Sequence, residues 1–396
     1  MSVLKTLGAG LVTALVVAAG AAPAAAAPTA TPAAPSKPAP PRITLTDLGK
    51  VGGHEARGID VNSRGDVIGM NTIDYDPVMV QQAFRIRGGR TELIGGAEEY
   101  VLPVDLNARG QAVLTSTTRG GSGSEAQFWA VDGSRARINP AGTSAGNSAA
   151  LNDSGTVAFT YSAPGGESDT VALWRGGRIL RSHQFPGSRL LGLELTNAGL
   201  VTGYVLTGPR WQVFQWDGGP VRYVGDGDSY RFRDVGRNGE LVGSDAASRP
   251  QLTVGSRVRR LPLPTGLSTG EARDIDNYGR IVGWGDAADG TRRALLWSGG
   301  QVRELGTLGG RDARAWFISD SGLIFGDSED AAGIRRPVVW WRGAITALPL
   351  PADTHPELPL AGLTATADIA GGSRLLADRS FNAGTTPVVW TVMGRR

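Results

Sequence analysis

A short turn signal recurs eight times along this chain: NSRGDVIG at 62, NARGQAVL at 107, NDSGTVAF at 152, TNAGLVTG at 196, GRNGELVG at 236, DNYGRIVG at 276, SDSGLIFG at 319 and a weaker IAGGSRLL at 369. Its glycines, Gly65, Gly110, Gly155, Gly199, Gly239, Gly279, Gly322 and Gly372, stand 40 to 50 residues apart. A period in the forties built from strand-forming residues is the mark of a ring of β-blades. Each turn is flanked by β-branched or Leu-rich residues, and Asn or Asp ahead of a left-handed glycine closes a hairpin between strands a and b. Further on, a second apolar run centred on Ile86, Trp129, Trp174, Trp216, Thr253, Trp297, Trp340 and Trp390 supplies strand c. In most units it ends in one or two glycines, as in WDGGPVRYV at 216, which leads into strand d. No helical 3.6-residue periodicity interrupts the pattern.

The last unit reaches strand c, PVVWTVMGRR at 387, and has no strand d after it. ITLTDLG at 43 precedes the first strand a and resembles the d strands RTELIG at 91 and QVRELG at 301. Pairing residues 43–49 with 387–393 closes the ring and removes its open edge. The expectation is therefore an all-β chain forming a single β-propeller of eight four-stranded blades, with units at 54–96, 97–140, 141–184, 185–226, 227–264, 265–307, 308–350 and 351–396 plus 42–53. Seven blades with an irregular segment is the alternative, because unit 5 lacks its Trp and the turn of unit 8 is degenerate.

Residues 1–27 carry Lys5, an Ala/Gly/Leu/Val-rich run and small residues at Ala24–Ala27, which read as a secretory signal peptide rather than a membrane span. Residues 28–41 are Pro, Ala, Thr and Ser with little charge and read as an extended linker, so the folded domain is 42–396. An extracellular location follows, and with no Cys in the sequence the fold must stand without disulfides. The formal charge is +3, carried by Arg spread evenly along the chain, which argues against nucleic acid.

LGTLGG at 305, followed by an INxxGxVVG-like segment and an ALLW-type strand, resembles the HAF family of bacterial extracellular repeats, over essentially the whole chain from Ile43 onward. The resemblance implies an extracellular, propeller-like repeat protein and brings no particular activity. The His-Ala-Phe triplet of that family reads QAF at 82, EAQ at 125, RAL at 293 and RPV at 336 here, so no role resting on its histidine carries over.

In a meander the a–b and c–d turns fall on one face of the ring and the b–c and d–a loops on the other. The second set varies in length and content, and variable loops on a rigid scaffold are where recognition is expected. The candidate ligand-binding residues there are Tyr75, Tyr100, Tyr204, Trp211, Tyr230, Trp284 and Asp286, aromatic faces and a carboxylate suited to carbohydrate or peptide. Asp226 with Asp228, and Asp327 with Glu329, offer clustered oxygens to a calcium ion, although neither segment matches a calcium-loop pattern and no other cofactor is expected. Asp60, Asp105, Glu194, Asp234 and Asp274 recur five residues before their turn glycines. They read as acids bonding the backbone of their own turns, or alternatively as a metal or catalytic ring. The repeated Trp set reads as core. His54, His183 and His355 are placed in d–a loops, and no GxSxG, HExxH or Asp-box motif accompanies them. The expectation is a monomeric, non-catalytic recognition propeller for an extracellular glycan, cell-envelope polymer or protein. The alternative is a hydrolase or lyase acting on polysaccharide.

Overall fold

A computed structural model of the chain describes residues 39–74, 80–96, 99–118, 123–225, 231–355, 357, 360–381 and 384–394. Strands make up the regular structure of these residues, grouped into eight antiparallel four-stranded sheets. From blade 1 to blade 8, the innermost strands a are Glu55–Val61, Glu99–Leu106, Ser144–Leu151, Ser188–Leu195, Arg231–Val235, Leu267–Ile275, Gly309–Ile318 and Leu360–Ile369. The eighth sheet takes its outermost strand from the start of the domain. Arg42–Asp47 runs antiparallel to the last strand, with Arg42 opposite Met393 and Asp47 opposite Val388.

The turn chemistry explains the repeat. Asn62 Oδ1 accepts the amides of Arg64 and Asp66, each at 3.0 Å, while Gly65 closes the turn at φ 86°. A short acceptor side chain ahead of a left-handed glycine is what this loop needs. In the eighth unit the left-handed position is Gly371, at φ 74°, and Gly372 already belongs to strand b. The same Asn also reaches forward: Asn62 Nδ2 donates to Asn107 O, Asn107 Nδ2 to Asn152 O and Asn152 Nδ2 to Thr196 O, at 3.0 to 3.2 Å. Four blades are thereby tied at their a–b turns.

The strand-c Trp residues fill the space between neighbouring blades, and Trp129, Trp174, Trp216, Trp297, Trp340 and Trp390 are all buried. In the last three blades the indole N–H also donates to the connection entering its blade, at Pro262 O, Gly306 O and Pro349 O. Blade 5 has buried Thr253 at this position instead, and its hydroxyl finds no partner.

Candidate functional site: an axial cavity ringed by bulges

Every innermost strand is interrupted by a β-bulge close to its a–b turn. The pairing slips between Gly58 and Asp60, Pro103 and Asp105, Ala145 and Ala149, Leu191 and Glu194, Phe232 and Asp234, Ala272 and Asp274, Ala315 and Phe317, and Leu363 and Ala365. A bulge inserts an unpaired residue and re-aims its side chain. Here it sets two consecutive residues against the ring axis where a regular strand would offer one. The Gly four places past several turn glycines belongs to the same device. A Cβ on Gly283 would lie 1.9 Å from the carbonyl oxygen of Glu271, and one on Gly243 1.9 Å from that of Arg231, so strand b must be bare where strand a bulges inward.

The outcome is a cavity of about 590 Å³ on the axis, lined by residues from all eight blades. The bulged residues vary around the ring, with only blades 5 and 6 sharing a type. Ile59, Val104 and Leu193 give blades 1, 2 and 4 an apolar wall, with Ser148 between them, whereas Arg233, Arg273, Trp316 and Thr364 come from blades 5 to 8. They lie on the strand-entry side of the acids, so the cavity belongs to the face of the b–c and d–a loops. A second cavity of about 450 Å³ lies on the turn side, and Asp105, Asp234 and Asp274 stand between the two.

The repeated acids do more than bond their own turns. Asp105 Oδ1 accepts the Leu106 amide at 2.7 Å, and its Oδ2 accepts the amide of Leu151 in the next blade at 2.6 Å. Asp60 reaches Leu106, Asp234 reaches Ile275 and Asp274 reaches Ile318 in the same way, at 2.6 to 3.0 Å. They are inter-blade stitches, which corrects the reading that confined them to their own hairpins. Where the acid is missing another group serves: Ser148 Oγ accepts the Gly192 amide, and Asp378 accepts that of Gly58 to join blade 8 to blade 1.

Packing acids around an axis disfavours their charge. Burial, reinforced by the Asp105 charge, holds Asp60 well above the usual carboxylate range. Burial and the Asp234 charge do the same for Asp274, and burial raises Asp105. Glu194 accepts no backbone amide. Its side chain is exposed toward the axial cavity yet surrounded by protein, and desolvation, with the Asp234 and Asp105 charges, pushes its carboxyl up to about 8.

Next to the cavity, Arg273 lies over Trp316 at 4.7 Å and near Trp284 at 5.9 Å, and the two indoles are 5.2 Å apart. The Trp316 indole N–H is fixed on Asp327. Glu271 pairs with both Arg233 and Arg273.

Trp284 was expected as an exposed loop aromatic. It lies inside strand b of blade 6, Ile281–Ala287, and is 8% exposed, because the b–c connection begins four residues later. Tyr204 and Trp211 are likewise strand residues, edge-to-face at 6.3 Å across blade 4. Tyr204 stacks on Phe232 and donates its hydroxyl to Phe232 O at 3.0 Å, with burial pushing the phenol up to about 12, while Trp211 stays partly exposed. Tyr100 is exposed on strand a of blade 2, far round the ring from blade 6. Asp286 is the penultimate residue of the Trp284 strand and pairs with Arg292 at 3.2 Å. Asp327 is paired with Arg314 and Arg335, and Glu329 lies 3.6 Å from Arg335, so arginines occupy these acids. Among the described residues no three His, Cys, Asp or Glu side chains are arranged to hold a metal ion. Tyr75, Asp226, Asp228 and Tyr230 lie outside the described residues. His183, expected in a loop, is in strand d of blade 3, edge-on to Phe185. Sequence reasoning missed Arg233, Arg273 and Trp316. Their signal was available, since each immediately precedes the repeated-acid position and varies while its neighbour repeats.

No family model and no curated protein matches the chain. Among solved structures it is similar to the β-propeller domain of the Trilobed protease from Pyrococcus furiosus, at 11% identity over 85% of this chain and 92% of that one, with a TM-score of 0.44. It is also similar to Porphyromonas gingivalis dipeptidyl peptidase 4, at 9% identity, 82% and 57% coverage and a TM-score of 0.54. For Pyrococcus horikoshii acylaminoacyl peptidase the values are 11%, 83% and 59%, and 0.47. The chain spans less than three-fifths of the length of these two peptidases. At such identities the likeness is one of fold.

Proposed function

We propose that this chain is an exported, non-catalytic recognition propeller that takes a carbohydrate or other envelope polymer end-on into its axial cavity, from the face of the b–c and d–a loops. The observation that carries this reading is the bulge ring. A device repeated in eight blades turns side chains of seven kinds onto one cavity, and its volume is within the range of small-molecule sites. Repetition at a position indicates structure, and diversity at the position beside it indicates recognition. The leader at residues 1–27 and the likeness to the HAF repeats support the extracellular setting. Screening the secreted chain against glycans and envelope fractions tests this. A Val104→Trp variant, which fills the cavity from its apolar wall, is expected to lose the ligand, and Tyr100→Ala is expected to keep it. A ligand retained by the filled cavity overturns the reading.

A second reading has one observation in its favour. Glu194 and Asp234 line the same cavity, and desolvation with the Asp234 charge pushes the Glu194 carboxyl up to about 8. An acid beside a potential base is the minimum equipment of a polysaccharide hydrolase or lyase. Product analysis of any glycan hit separates the two: turnover that disappears in Glu194→Gln while binding persists establishes the enzyme.

A further inference from the structure

Resting on the axial-cavity reading, we infer that the cavity selects an acidic saccharide, one whose sugar carboxylate is received by Arg233 and Arg273. The argument begins with a mismatch in the wall. Two guanidiniums face one carboxylate, since Glu271 pairs with Arg233 and, at 3.1 Å, with Arg273. Each guanidinium carries five N–H donors in a planar fork, and one carboxylate cannot occupy both forks. Arg273 Nε is moreover buried without an acceptor. This arginine lies over the Trp316 ring, 4.7 Å from its centroid, a contact that restrains the guanidinium while leaving N–H donors available. Trp316 is itself immobilised through its indole N–H on Asp327. A cation held rigid, partly shielded and under-supplied with acceptors is a site for a planar anion. A carboxylate matches the fork in two parallel hydrogen bonds.

The rest of the wall argues for a sugar as the bearer of that carboxylate. Opposite the arginines, Ile59 and Val104 offer an apolar surface to C–H faces, and Leu193 extends it beside Arg233. Ser148, Thr364 and the floor acids accept and donate hydrogen bonds, as hydroxyls on a ring require. The acids also stand between this cavity and the one on the turn side, so a ligand entering from the loop face meets them end-on.

The test is calorimetric titration of the full chain with three probes: a linear tetraglucuronate, the neutral glucose tetramer of the same linkage, and a tetrapeptide with a free carboxylate. The glucuronate is expected to bind about tenfold or more tighter than the neutral tetramer, as one charge-assisted bidentate contact provides. Arg273→Gln and Arg233→Gln should each remove most of that preference, weakening glucuronate binding far more than binding of the neutral tetramer. Arg273→Lys, which keeps the charge and loses the fork, should restore only part. Melting curves of the variants show that the fold survives, and should Arg273→Gln fail to fold, the exposed Arg233→Gln carries the test alone. Equal affinity for both sugars, or a preference that survives loss of either arginine, overturns the acidic-sugar inference and leaves the cavity reading standing. Binding of the peptide alone, or of none of the three, also overturns it. A glucuronate that binds undiminished in Val104→Trp defeats the cavity reading itself.

Discussion

Asp105 gives the sharpest test of the stitched ring. Its Oδ1 shares the Leu106 amide with Asp60, whereas its Oδ2 accepts the Leu151 amide at 2.6 Å. In Asp105→Ala, Leu106 keeps Asp60 and Leu151 is orphaned. A buried backbone amide without a partner costs about 1–3 kcal/mol. Two effects lower the net figure: the carboxyl removed is one that burial already penalises, and Asp60 is freed from its like-charged neighbour. A net loss of about 1–2 kcal/mol is expected. Asp105→Asn should cost at least as much despite its identical shape, because an amide has a single acceptor oxygen and turns an NH2 toward one of the two amides. Asp153→Ala, which removes an exposed acceptor at the turn of blade 3, should stay within about 0.5 kcal/mol. Urea unfolding of the three variants reads the differences, and a cycle with Asp60→Ala should show coupling because both acids share Leu106. If Asp105→Ala and Asp105→Asn unfold with the wild-type midpoint, the acids do not hold the blades together and the account of the ring is wrong.

Stability should fall as pH rises from about 4.5 to about 8, since Glu194, pushed up to about 8, and Asp378, pushed up to about 6, favour the protonated fold, whose advantage is complete below their unfolded values and lost through the folded ones. Glu194→Gln should flatten the upper part of that decline, and a wild-type midpoint in urea that climbs from pH 5 to pH 8.5 would falsify the raised values. Deleting residues 39–47 leaves Val388–Met393 as an open edge and strips Asp47 from buried Arg379, so the truncated chain should unfold at lower urea as one unit. Unchanged melting after that deletion rules out closure by the N-terminal strand.

Blade number, strand order and closure were legible because they rest on local chemistry. Asn or Asp ahead of glycine can be read one hairpin at a time, and six Trp residues at one register can be read as core without knowing what they touch. The missing Trp of blade 5 did not remove the blade, since Leu241, Val242, Gln251 and Thr253 still bury its sheet. The loop aromatics were misjudged for a different reason. Trp284 lies only five residues past a turn glycine, and a seven-residue strand b reaches beyond it, so the distance that looked like loop was still ladder.

The bulges were the part that alternation cannot foresee. A strict period of two assigns consecutive residues to opposite faces, so Arg273 beside Asp274 should point away from the axis, as should Arg233 beside Asp234. The inserted residue breaks that rule at the one place where eight strands converge. The acid can then reach across to the next blade while its neighbour meets the cavity. The two roles place opposite demands on sequence. Stitching asks for the same acceptor in blade after blade, and recognition asks for differences between them. Adjacent positions, one repeating and one varying, let the ring keep its geometry while its ligand surface changes. On this argument an exchange at Ile59, Val104 or Arg233 alters what the cavity accepts, and an exchange at Asp60, Asp105 or Asp234 alters whether the blades stay together.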